Sequence, residues 1–183
     1  MEFKKLIKLV INKYLGKESV YVGFNKIGEE LGWMSNMSDY GIFYNESFWK
    51  RCEYLFMSLR FNDESIINEI RSVDNVMMMK RKVKSKRLKE KMVVEMMGEK
   101  DVENMKLVVG LKLKEYDWMR RELSELKNVV IFENCENRKK GSGLFWGGYV
   151  EDGRKISENI WVGGELKGKN VLGKIFMDYR DNN

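Results

Sequence analysis

Apolar residues recur at Phe3, Leu6, Ile7, Val10, Ile11 and Tyr14, a spacing that predicts an amphipathic helix over residues 3–15, stopped by Gly16. Val20-Tyr21-Val22-Gly23-Phe24 reads as a short strand, followed by a polar, glycine-punctuated segment from Asn25 to Trp33. Gly41 to Asn45 reads as a second strand ending in a turn. Residues 47–60 follow as a helix with Phe48, Cys52, Leu55, Phe56 and Leu59 inward. Asp63 and its neighbours supply a cap for a helix through about Val73. Residues 76–95 hold three consecutive methionines, Met77 to Met79, and a basic run from Lys80 to Lys91. That run reads as a solvated helix face or, alternatively, a phosphate-contacting one. Further helices are predicted from Asp101 to Lys114 and from Glu115 to Leu126, with a buried strand at Val129 to Phe132. Residues 134–143 read as irregular, Glu151 to Lys167 as a loop, and Gly168 to Arg180 as a final helix capped by Asn170. The expected fold class is α+β: a mainly helical single domain with a few short strands. Residues 1–19 form an N-terminal amphipathic helix extension and residues 20–183 the domain proper.

Composition sharpens this picture. The chain has 183 residues, 43% hydrophobic and 12% aromatic, enough for a packed core. It contains no Ala, Pro, Thr, Gln or His. Every codon for these five types carries cytosine at position one or two, whereas each type that is used has a codon avoiding it. The gap removes histidine, the usual general base near neutral pH. No apolar run approaches the ~20 residues that span a bilayer, so no membrane association is expected. The start, Met1 to Lys8, mixes lysine into the apolar positions and lacks a signal-peptide core. Two cysteines, Cys52 and Cys135, make neither a disulfide framework nor a zinc site, and read as reduced thiols of a cytoplasmic protein without metal or cofactor. The formal net charge of +6 favours polyanionic partners such as nucleic acid or nucleotides.

Three places could carry chemistry. A glycine, an Asn cap and a first turn containing Gly173 leave helix N–H groups free of side-chain bulk, which suits a diphosphate or simply starts a helix. Phe145-Trp146-Gly147-Gly148 sets an aromatic face beside backbone that a ligand can approach, although a tryptophan there also suits the core. Glu53, among Tyr54, Leu55 and Phe56, is a partly buried carboxylate able to act as base or acid, or an ordinary surface glutamate.

Taken in order, these pieces resemble the NADAR (YbiA-like) family, and within it the NADAR domains of DarG-type antitoxins. The matching residues are Lys26 after a short strand, Ser35-Asn36-Met37, the helix from Glu53 through Arg60-Phe61, and Glu133. Trp146-Gly147 and the run Gly168-Lys169-Asn170-Val171-Leu172-Gly173 through Met177 and Arg180 complete the match. The resemblance covers residues 20–182, and the last motif is its most specific part. Tyr54 stands where many members have histidine, Met57 where they have glutamine and Val83 where alanine is common, all types this chain never uses. Gly143 takes the place of an aspartate and Met97 falls near a usual tryptophan, changes the missing residue types do not force.

The resemblance implies a YbiA-like fold and cleavage of an N-glycosidic bond. The substrate it implies is ADP-ribose on guanine in DNA, as in an antitoxin opposing a DarT-type ADP-ribosyltransferase. Early riboflavin-pathway intermediates are an alternative substrate. Non-catalytic binding of ADP-ribose or NAD is a further alternative. On this reading Glu53 and Lys26 are catalytic: Glu53 activates water or stabilises charge at the anomeric carbon, and Lys26 binds phosphate or attacks the opened ribose. Ser35, Asn36, Arg60, Trp146, Gly147, Asn170 and Gly173 bind substrate, with the diphosphate at Asn170–Gly173 and Trp146 against the adenosine or ribose. No cofactor or metal is implied, and ADP-ribose or ADP-ribosylated DNA is the expected partner. The missing residue types generate one prediction about the gene. Its Leu, Arg and Ser codons should be of the TTR, AGR and AGY kinds throughout; ordinary use of CTN, CGN and TCN, read by sequencing, contradicts a cytosine-depleted coding strand.

Overall fold

The computed structural model describes residues 2–182 of the chain. Helix α1 (Phe3–Tyr14) forms on the predicted stripe, turning Ile7 and Val10 inward, and Gly16 with φ +73° carries the chain away from it. Strand β1 (Val20–Phe24) is buried along its whole length, and a single 3-10 turn, Gly32–Met34, follows. Next come β2 (Ile42–Tyr44), β3 (Ser47–Trp49), α2 (Cys52–Ser58), α3 (Glu64–Ser72), α4 (Val76–Val83), α5 (Lys86–Lys89) and the long α6 (Glu99–Glu115). The chain continues through α7 (Asp117–Ser124), β4 (Val130–Glu133), α8 (Ser142–Trp146), β5 (Tyr149–Glu151), β6 (Arg154–Ser157), β7 (Ile160–Val162), β8 (Glu165–Lys167) and α9 (Val171–Asn182). The fold class is α+β, as the pattern predicts. Within it the chain forms two compact units, one from residues 2–35 and 118–182, the other from residues 36–117. No helix among the described residues is long and apolar enough to cross a membrane.

The first unit is built on a sheet of order β4-β1-β7-β6, with β1 parallel to β4 and antiparallel to β7. Because side chains alternate along a strand, β1 has two different faces. Tyr21 joins Phe132 and Trp161, whose rings meet edge-on at 5.3 Å, on one face. Phe24 points to the other, where Phe176 of α9 lies 5.9 Å away. Trp33 extends that cluster, 6.1 Å from Phe176 and 5.7 Å from Trp118. Helix α1 packs on β1, and Lys4–Glu122 at 2.5 Å and Lys8–Glu125 at 2.6 Å orient it against the chain around α7.

The second unit is organised around α2. Every residue from Cys52 to Ser58 is buried, so this helix has no solvent face; α3, α4, α6 and β3 pack against it. The capped starts of its neighbours follow the sequence. Asp63 accepts from the N–H groups of Ser65 and Ile66, and Asn75 from those of Met77 and Met78.

Four stretches differ from the sequence reading. Residues 47–49 pair as β3 because Asn45 and Glu46 adopt φ +46° and +59°, the geometry of a tight hairpin turn. This moves the start of α2 to Cys52 and leaves Phe48 54% exposed. Residues 76–95 break into two short helices at Ser85, whose backbone is extended at φ −61°, ψ 150°. The expected loop from Glu151 to Lys167 is two nested strand pairs, β6 with β7 and β5 with β8. Strands β5, β6 and β8 are short, rich in charge and none of their residues is fully buried, so they carry no apolar alternation to read, and β7 is a buried apolar run of only three residues. Ser142–Trp146, read as irregular at its start, is helical.

Below α2, Arg60 and Asp101 form a buried two-point ion pair, Nε to Oδ1 at 2.8 Å and Nη2 to Oδ2 at 2.9 Å, with Asp101 0% exposed. The Met97 N–H also donates to Asp101 Oδ2, at 2.8 Å, and Arg60 lies over the Phe56 ring. Removing one partner strands a buried charge. Asp101→Ala is expected to cost about 3–5 kcal/mol in urea unfolding, with Arg60→Met/Asp101→Leu closer to the parent. A cost below about 1 kcal/mol would contradict a structural role for the pair.

Candidate functional site

In the second unit, Glu53 occupies the first turn of α2 and is 6% exposed. Its backbone N–H donates to the Asn36 carbonyl at 2.9 Å, fixing the turn that carries Asn36 to the start of the helix. Its Oε1 takes an ion pair from Lys80 Nζ at 2.8 Å, and the same ammonium reaches Met37 Sδ at 3.9 Å. Asn36 is 5% exposed; its Nδ2 donates to Met105 Sδ at 3.0 Å, while its Oδ1 is buried without a hydrogen-bond partner. The structure thus brings Glu53, Asn36 and Lys80 together. Arg60 belongs to the same unit but has its guanidinium occupied: Nε and Nη2 on Asp101, and Nη1 on Met57 Sδ at 3.2 Å.

Lys112 is a residue the sequence reading did not single out. It is 0% exposed on α6, and its Nζ donates to Ser38 Oγ at 2.9 Å. Burial pushes its ammonium down to about 8, against a partial opposing pull from Cys52. The same burial pushes the Cys52 thiol up to about 11, offset in part by Lys112. A signal for this was present. Asp101, Asn104, Met105, Val108 and Lys112 fall on one helical stripe, and all are buried.

In the first unit, Lys26 follows β1 with its side chain 78% exposed, 3.7 Å from Glu29 Oε1. Glu29 Oε2 accepts from Asn159 Nδ2 at 3.1 Å, and that amide also reaches the Gly23 carbonyl. Ser35 closes the 3-10 turn, half-buried. Trp146 ends α8, 8% exposed, with its ring edge-on to Phe145 at 4.9 Å. Gly147 follows, and its carbonyl accepts from the Asn170 N–H at 3.1 Å. Gly147, Asn170 and Gly173 are therefore neighbours, although for a reason the sequence reading missed. A Cβ on Gly147 would stand 2.2 Å from the Glu133 carbonyl oxygen, and one on Gly173 would stand 2.1 Å from that of Ile131. The glycines clear space for the protein's own backbone, where α8 and α9 cross the end of β4.

Asn170 is not the expected side-chain cap. Its backbone is left-handed at φ +50°, and its Nδ2 spans to the Ile131 carbonyl at 2.8 Å. Its Oδ1 lies over Gly173, buried without a hydrogen-bond partner. The first α9 hydrogen bond runs from the Lys174 N–H to the Asn170 carbonyl at 3.0 Å, so the N–H groups of the preceding turn come before the ladder begins. Gly143 is also close-packed: a Cβ there would stand 2.2 Å from the Arg138 carbonyl oxygen. Glu133 Oε1 accepts from Arg138 Nη2 at 3.0 Å. Both cysteines are free and buried, and among the described residues no group of three Cys, Asp or Glu side chains could hold a metal ion.

No family model and no curated protein sequence matches the chain. Among solved structures, it is similar to the NMR structure of the E. coli protein YbiA. The two are 23% identical, with 88% of this chain and 83% of that one covered at a TM-score of 0.63. The chain has a YbiA-like fold. This is the fold that the resemblance of the motifs from Lys26 to Arg180 implies. Within this YbiA-like frame, Met57 accepts a hydrogen bond from Arg60 at a place where the resemblance sets glutamine, its thioether serving as a weaker acceptor than the amide oxygen.

Lys112 generates a pH prediction. Its ammonium is disfavoured in the folded chain, so the folded protein releases this proton near pH 8 and the unfolded chain only near its ordinary value of 10.5. Stability therefore rises with pH through this window, by about 1 kcal/mol between pH 8 and pH 9. Above pH 9 the Cys52 thiol opposes the gain, because the unfolded thiol ionises first. Urea unfolding of the parent and Lys112→Met at both pH values checks this; an equal pH response in the two proteins contradicts it.

Proposed function

We propose that this protein is a NADAR-type N-glycosidase that removes ADP-ribose from guanine in DNA, opposing a DarT-type ADP-ribosyltransferase. The observation that carries the reading is Glu53: a buried carboxylate on the first turn of α2, tied to Asn36 and Lys80, at the position where the resemblance sets a catalytic glutamate. The similarity to YbiA supports the fold on which that assignment rests.

In this mechanism Lys80 holds Glu53 Oε1 and leaves Oε2 for a water molecule. The water adds to the anomeric carbon of the ribose as Oε2 takes its proton. The bond from that carbon to the guanine nitrogen breaks with its electron pair on guanine, which takes a proton from solvent. A carboxylate near a developing oxocarbenium ion is how glycosidases achieve this without histidine. Asn36 Oδ1, in the same unit, supports a polar substrate: it is a buried acceptor lacking a donor, at a cost of about 1–3 kcal/mol that a ligand hydroxyl or amino group relieves. In the other unit, Lys26 is exposed and only loosely paired, an amine with the chemistry of a phosphate contact or of a nucleophile that condenses with a sugar aldehyde to an imine with loss of water. Arg60 acts by holding α2 in place, since its donors are already engaged.

A second reading, non-catalytic binding of ADP-ribose or NAD, is favoured by Gly143. The aspartate of the resemblance does not fit there without moving the Arg138 backbone. One set of assays separates the readings. ADP-ribosylated single-stranded DNA, riboflavin-pathway intermediates and free ADP-ribose are offered to the parent, Glu53→Gln and Lys26→Met. We expect release of ADP-ribose by the parent and a loss of about 100-fold or more in Glu53→Gln. Full turnover in Glu53→Gln rejects the mechanism, and tight calorimetric binding of ADP-ribose without turnover supports the second reading.

A further inference from the structure

Two surface features of the unit formed by residues 36–117 have, Lys80 apart, no role in the chemistry above. The first is the segment 80–91, with eight Lys or Arg residues and one acidic residue, Glu90. Leu88, 0% exposed, anchors the segment, and all its neighbours from Lys84 to Lys91 face solvent. Lys80 and Lys82 are engaged by Glu53 and Glu69, Arg87 shares Glu69, and Lys86 approaches Glu90. Arg81, Lys84, Lys89 and Lys91 are exposed and have no ion-pair partner among the described residues. Four unneutralised cations within eleven residues of chain give this segment a positive potential that attracts anions.

The second feature is an aromatic platform on the β2–β3 hairpin. Phe43 and Phe48 are cross-strand partners, 58% and 54% exposed, with ring centroids 5.2 Å apart. The Phe48 ring rests on backbone, reaching 2.3 Å from where a Cβ on Gly41 would stand, so it is seated and not free to fold away. Exposed aromatic rings in a unit that also carries unpaired cations match the chemistry of single-stranded nucleic acid, whose bases stack and whose phosphates are anionic. A protein partner fits less well, because protein interfaces are depleted of lysine.

We propose that this unit binds a single-stranded polynucleotide. Arg81, Lys84, Lys89 and Lys91 neutralise phosphates, and Phe43 with Phe48 stacks bases. The proposal extends the glycosidase reading to the strand around the modified base. It is tested with unmodified strands and no turnover, so either idea can fail while the other stands.

The experiment is fluorescence anisotropy of the full chain with oligo-dT, oligo-rU and a DNA duplex over a range of salt. The single strands are expected to bind in preference to the duplex, with log affinity falling against log salt with a slope of about −3 for four phosphates. Arg81→Glu/Lys84→Glu/Lys89→Glu/Lys91→Glu should abolish most of that slope, while Lys17→Glu/Lys127→Glu/Lys174→Glu, reversing cations of the other unit, should leave it unchanged. Phe43→Leu/Phe48→Leu keeps apolar bulk without the π face and should weaken binding roughly ten-fold at an unaltered slope. Circular dichroism confirms that each variant is folded. The proposal is overturned by absence of binding at low salt, by preference for duplex, or by self-association through the hairpin without strand binding. It is equally overturned if either the charge-reversed or the leucine variant binds as tightly as the parent.

Discussion

A helix buried on every side must find a partner for each polar group it carries, because leaving one unpaired costs as much as several good apolar contacts supply. Helix α2 is such a helix, and the unit around it reads as a set of answers to this demand. Lys80 comes from α4 to meet Glu53, Tyr54 donates its hydroxyl to the Asp74 carbonyl, and Asp101 comes from α6 to meet Arg60 just beyond the helix end. The neighbours of α2 are thus held at the polar positions as well as by apolar contact. The exceptions in this unit are informative: Ser58 Oγ and Trp49 Nε1 have no hydrogen-bond partner, and Asn36 Oδ1, on the residue whose carbonyl holds the Glu53 N–H, has none either. An acceptor left open beside the buried Glu53 carboxylate is polarity placed there at a cost to stability.

The restricted residue set is visible in these solutions. Without glutamine, threonine or histidine, several donors turn to sulfur: Arg60 to Met57, Asn36 to Met105, and the Ile131 N–H to Met177. Thioether sulfur is a weak but polarisable acceptor, and the unbranched methionine side chain adapts to the gap left by a missing polar residue. The abundance of methionine in this chain has a structural use beyond filling the core.

Much of the fold was legible from spacing. The first helix, β1, the α3 cap at Asp63 and the extent of α6 and α7 follow from periodicity and capping chemistry, which are local. The candidate site was legible only in part. Glu53 and Asn36 belong together, as do Gly147, Asn170 and Gly173, but Arg60 is bound into a buried pair whose other half lies forty-one positions away. The purpose of the glycines was misread for a related reason. Gly173 in a first helical turn looks like an opening for an anion, yet the Ile131 carbonyl fills the space. Lys112 was overlooked because a lysine on a helix is ordinarily solvated, although its phase with Met105 and Val108 placed it in the core.

By itself, the sequence determined the helical and strand segments whose apolar period is strong, the caps that start them, the absence of histidine chemistry and the resemblance that points to a YbiA-like fold. These depend on neighbours within a turn or two of the chain. The tertiary structure alone decided which charges are buried and paired, which glycines face backbone, and that short charged stretches such as Arg154–Ser157 become strands. The physical reason is the range of the forces involved. Propensity and capping act over a few residues, whereas desolvation, ion pairing and close backbone contact are set by whatever the rest of the chain brings into reach.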